Sequence, residues 1–115
     1  MKKEENVPRK IQPANKFNKF EKIRGQIKAL HEEISTLSKK KPDDGINPFK
    51  LRFINQILSE ANGVLKKEYL PKSDFRTFDE ENLPTNSDVV IMLSQYLECF
   101  SRQSIDGSPS FPFDL

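Results

Sequence analysis

The run DVVIMLSQYLECF, from Asp88 to Phe100, is the most apolar stretch in a chain whose residues are 31% charged. It lacks the strict alternation of a half-buried strand. Val89, Leu93, Leu97 and Phe100 recur at spacings of 4, 4 and 3, with Val90, Met92, Tyr96 and Cys99 beside them. Ser94, Gln95, Glu98 and Ser101 mark a narrower polar side. Val89, Val90 and Ile91 favour a strand locally, yet the span from Asp88 to about Gln103 is too long for an average strand. Its start also carries a helix signal. Thr85 is placed as an N-cap with Asp88 three residues on, a capping box with Asp in place of Glu. Pro84 precedes the cap, and Asp88 lies at the favourable end of the helix dipole. The prediction is a helix over 86–103, the most buried in the fold, which needs other helices around it. Tyr96 then requires a partner for its hydroxyl or a place at the core's edge.

Two further helices are legible upstream. In FNKFEKIRGQIKALHEEISTLSKKK, the apolar residues Phe20, Ile23, Ile27, Leu30, Ile34 and Leu37 are spaced 3, 4, 3, 4, 3. That seam predicts a helix over 17–40. Gly25 falls between the seam positions at a cost of about 1 kcal/mol relative to Ala, either to let another backbone approach or as a residue tolerated at the surface. Lys39, Lys40 and Lys41 suit a helix C-terminus, and Pro42 follows as the stop. Asn47 and Pro48 form a capping residue and a first-turn proline that open a second helix over 48–69, ending before Pro71. Phe49, Phe53, Ile57, Ala61 and Val64 are read as one side of it. Leu51, Ile54, Leu58 and Leu65 widen that face.

The connector LPKSDFRTFDEENLP, residues 70–84, has no clear period. So long a structureless segment is expected to pack across the bundle through Leu70, Phe75, Phe78 and Leu83. In the other reading, Phe75 and Phe78 face a partner. Residues 1–16, broken by Pro8 and Pro13, read as a basic extended arm. Residues 104–115, SIDGSPSFPFDL, read as an irregular tail whose apolar Phe111, Phe113 and Leu115 either fold back into a groove of the same chain or act as contact residues inserted into a partner. The fold class is therefore all-α: a small three-helix bundle over 17–103 with an N-terminal arm, a long packed connector and a C-terminal tail.

Composition narrows the function. No apolar run approaches the ~18 residues of a membrane span, and no apolar region follows the charged start MKKEENVPRK. A cytoplasmic location without membrane contact is the expectation. One cysteine and one histidine give neither an internal disulfide nor a cysteine metal cage. His31 reads as a helix-surface residue, and Cys99 as a small hydrophobe without a base beside it. Asp79, Glu80 and Glu81 lack the alternating ligands and glycine of a calcium loop. No cofactor, metal, small-molecule substrate or catalytic residue is expected, and the chain is read as a non-enzyme.

Charge is uneven along the sequence. Residues 1–41 carry twelve basic and five acidic side chains, +7, whereas 42–115 carry seven and twelve, −5. The leading reading is a small helical binding or accessory protein acting through protein–protein contacts, with another protein or a second copy of itself. The alternative is a nucleic-acid-associated regulator whose Arg9, Lys10, Lys16 and Lys19 follow a phosphate backbone.

Overall fold

The computed structural model describes the backbone of residues 12–106 and the side chains of residues 18–105. Three helices form a bundle: α1 (Gln12–Lys40), α2 (Pro48–Val64) and α3 (Asn86–Asp106). Among the described residues there is no strand, only an isolated antiparallel bridge between Gly45 and Thr85. No described helix is long and apolar enough to cross a membrane.

Sequence signals account for most helix ends. Asn47 Oδ1 accepts hydrogen bonds from the amides of Phe49 at 2.8 Å and Lys50 at 3.1 Å, with Pro48 opening the first turn of α2. At α3 the capping box forms in both directions. The Asp88 amide donates to Thr85 Oγ1 at 3.1 Å, and the Thr85 amide donates to Asp88 Oδ2 at 3.4 Å. Lys39 and Lys40 occupy the last turn of α1, where their charge complements the exposed carbonyls.

Three boundaries differ from the sequence reading. Helix α1 begins at Gln12, inside the stretch read as an extended arm. Pro13 then lies in the first turn, where its missing N–H has no helical acceptor to lose. Helix α2 stops at Val64, and Leu65 is already extended at φ −85 and ψ 138. The Gln103 side chain holds this end: its Oε1 accepts from the Lys66 amide at 2.7 Å, and its Nε2 donates to the Val64 carbonyl at 3.2 Å. A short 3₁₀ turn, Lys67–Tyr69, follows. Helix α3 continues to Asp106, into the stretch read as tail. The remaining residues read as arm and tail, 1–11 and 107–115, lie outside the described ones.

At the opposite pole, the α1–α2 loop is laced to the start of α3. The Ile46 amide donates to Pro84 O and the Asn86 amide to Asp44 O, both at 2.9 Å, and Asn86 Nδ2 reaches Lys41 O at 2.8 Å. Helices α2 and α3 therefore run in the same direction, and α1 runs against both. The core between them comprises Ile23, Ile27 and Ile34 of α1, Ile46, Leu51, Ile54, Ile57, Leu58, Ala61 and Leu65 in and around α2, and Val89, Leu93, Tyr96 and Phe100 of α3. Phe20 tilts onto Phe100 with ring centroids 4.8 Å apart.

Burial is shared between α2 and α3: six α2 residues are buried, including Asn55, and five α3 residues, while a smaller share of the described α3 side chains is exposed. Ile91 on α3 is 61% exposed, and Leu97 is only half-buried while Tyr96 is fully buried. Gly25 lies on the outside of α1, with nothing within 4 Å of where a Cβ would stand. Replacing Gly25 by Ala should therefore stabilise the fold by about 1 kcal/mol, through helix propensity and a less flexible unfolded chain. A higher urea midpoint at unchanged slope checks this.

Candidate functional site

The connector packs as the sequence anticipated. Phe75 and Phe78 are half-buried against the core, meeting edge-on at 5.1 Å, and Phe75 approaches the Tyr96 ring at 6.4 Å. Leu70 joins the same cluster, while Leu83 stays 38% exposed.

Two asparagines of α2, unremarked in the sequence, fasten this segment. Asn55 Nδ2 donates to the Phe78 carbonyl and the Phe78 amide donates to Asn55 Oδ1, each at 2.9 Å. Two turns along, Asn62 Nδ2 donates to Arg76 O at 2.9 Å, and Asn62 Oδ1 accepts from the buried Tyr96 hydroxyl at 2.5 Å. Their spacing of seven puts both amides on one stripe of α2. Burial pushes the Tyr96 hydroxyl up to about 12, against smaller downward effects from the Asn62 hydrogen bond and the Arg76 charge.

The residue types that could carry chemistry are dispersed. Burial raises the Cys99 thiol above its ordinary value, more than the Arg102 charge lowers it, so little thiolate exists near neutrality. His31 lies on α1, away from it in sequence and on another helix. Asp79, Glu80 and Glu81 are exposed; Asp79 Oδ1 accepts from the Glu81 amide at 2.9 Å, and Glu80 Oε2 lies 3.4 Å from Asn55 Nδ2. Among the described residues, no cluster of three His, Cys, Asp or Glu stands ready for a metal ion.

An apolar groove opens between α1 and α2. Leu30 and Ile34 form one wall, and Phe49 and Phe53 form the other. Glu33 and Lys50 close a 2.6 Å ion pair on its rim. Phe49 is 72% exposed and Phe53 46% exposed, so the N-terminal part of the apolar face read along Phe49, Phe53, Ile57, Ala61 and Val64 is open to solvent. The groove's volume of about 170 Å³ falls below the ~300–1,000 Å³ typical of small-molecule sites. It is sized for individual side chains. Two further grooves, about 280 Å³ beside Gly25 and about 180 Å³ beside Cys99, have more polar walls.

Of the nucleic-acid candidates, Lys19 is exposed on α1, near the exposed Lys22, Arg24 and Lys28. Arg24 faces Glu21 at 3.4 Å. The side chains of Arg9, Lys10 and Lys16, and residues Phe111, Phe113 and Leu115, lie outside the described ones. The chain matches no family model, no curated protein and no solved structure.

Proposed function

We propose that this chain is a non-enzymatic helical binding or accessory protein, cytoplasmic, that works through protein–protein contacts on its α1–α2 face. The observation carrying this reading is the pair of open phenylalanines, Phe49 and Phe53, above a groove floored by Leu30 and Ile34. Exposed aromatic side chains beside an apolar groove are the residue type and geometry of interface anchors. The Glu33–Lys50 pair supplies a polar rim.

A second reading rests on exposed Lys19, Lys22 and Lys28, which put basic side chains on the surface of α1 beside the basic N-terminal segment. There the chain would grip a nucleic-acid backbone, with affinity falling steeply as salt rises.

One experiment separates the two. The full chain and its Phe49→Ser/Phe53→Ser variant are used to capture partners from native lysate, with and without nuclease, at two salt concentrations. Contact through the groove predicts a stoichiometric protein that resists nuclease and is depleted at least tenfold by the variant. Circular dichroism should stay near wild type and the unfolding midpoint should fall only modestly, because Phe49 is 72% exposed and Phe53 46% exposed. Recovery dominated by nucleic acid, lost at higher salt and indifferent to the substitutions, would replace the first reading with the second.

A further inference from the structure

We propose that the Phe49–Phe53 groove receives residues 110–115, SFPFDL, of a second copy of this chain, so that copies join groove to segment. This rests on the reading of that groove as a protein-contact face and names its occupant.

Shape is the first argument. Phe49 and Phe53, one turn apart on α2, present ring positions about 6 Å apart along the helix. In an extended Phe-Pro-Phe, Phe111 and Phe113 project to the same side about 6–7 Å apart. Pro112 disfavours helix at Phe111, and its missing N–H leaves no donor stranded on an apolar wall. The two pairs of rings thus match in spacing, and Leu115 falls on the same side again.

Charge agrees with shape. Asp114 follows the second ring and meets a rim that offers Lys50, with the exposed Arg52 one turn on from Phe49. Lys50 already pairs with Glu33 across the groove. A surface pair of this kind contributes under about 1 kcal/mol, so a new acid can share or displace it at little cost.

Reach decides between the chain's own segment and a second copy. Gln103 fixes α3 beside Val64, and α3 then runs on to Asp106, past that end of α2. Phe53 and Phe49 lie back along α2 by about 16 and 22 Å from Val64. Fully extended, the chain carries Phe111 at most about 18 Å and Phe113 at most about 25 Å from Asp106. Seating both rings on the same molecule would leave the segment taut, before any sideways travel to the α1 side. A second copy meets no such constraint.

The test is sedimentation equilibrium of the full chain over a wide concentration range. Phe49→Ser/Phe53→Ser supplies a groove variant and Phe111→Ser/Phe113→Ser a segment variant, with Phe49→Ser alone as a milder one. Wild type should self-associate, and each double variant should associate at least tenfold more weakly. Mixing the two variants should restore association, because one intact groove then meets one intact segment. A wild type that stays monomeric at all concentrations overturns the proposal, as does self-association unchanged in either variant or not restored by mixing. If the groove variant still loses its captured protein while wild type is monomeric, the contact face stands and only this occupant falls.

Discussion

Replacing Asn55 by Ala is expected to lower the unfolding free energy by about 2–3 kcal/mol. The side chain occupies the position of a neighbouring strand: it donates to Phe78 O and accepts from Phe78 N, both at 2.9 Å, while only 8% exposed. Alanine removes both bonds at once and leaves two backbone groups of the connector without their partner. Each such group costs about 1–3 kcal/mol when water cannot replace the bond. The better helix propensity of Ala returns about 0.6 kcal/mol. Part of the connector can also turn toward solvent, because Asp79 and Glu80 beside Phe78 are exposed. The net should appear as a Tm lower by about 10 °C in a domain of this size. Susceptibility of residues 70–84 to proteolysis should rise in parallel. A change below about 0.5 kcal/mol would mean that the apolar contacts of Phe75 and Phe78 hold the connector without Asn55.

Helices α2 and α3 were legible because each carries a local start signal that the folded chain uses, whereas α1 was legible from its 3–4 seam and its start was not. Thr85 with Asp88 and Asn47 with Pro48 act where they stand. Which residues face inward was less legible, and the reason is arithmetic. On a helix turning about 100° per residue, a step of four overshoots by about 40° and a step of three falls short by about 60°. The row Phe49, Phe53, Ile57, Ala61 takes three successive steps of four and drifts around the helix, so its first members emerge at the surface. Leu51, Ile54, Leu58, Ala61 and Leu65 alternate three and four, hold one direction, and are the buried row. The same rule puts Tyr96, not Leu97, between Leu93 and Phe100.

What the sequence could not supply was the partner of each polar group. Asn55 and Asn62 are poor interior helix residues, and their spacing of seven is visible. Their role becomes apparent only once the connector, with backbone amides and carbonyls to satisfy, lies across them. The exposed groove has the same origin. Phe49 and Phe53 look like core in a list of apolar residues, and become candidate contact residues because α1 ends its coverage at Leu30 and Ile34. The acidic and basic residues followed the simpler expectation, lying mostly at the surface.

Tyr96→Phe should invert its stability relative to wild type as the pH is raised. Near neutrality the variant is expected to be less stable by about 1 kcal/mol, because Asn62 Oδ1 loses the hydroxyl that donates to it. The folded-state tyrosine titrates at about 12, whereas its ordinary value is 10.0. Between those values the unfolded chain has released the proton and the folded chain retains it, so unfolding releases a proton and alkali favours it. The stability due to this group is complete below pH 10, declines as the pH rises, and levels off above about 12. Wild type should lose about 1 kcal/mol by pH 11 and about 2 kcal/mol by pH 12 relative to the variant. Urea unfolding of the two proteins at matched alkaline pH should therefore show their midpoints crossing near pH 11. Parallel curves with no crossing would show that the Tyr96 hydroxyl is solvated well enough to ionise in the folded bundle, and that Asn62 holds the connector without it.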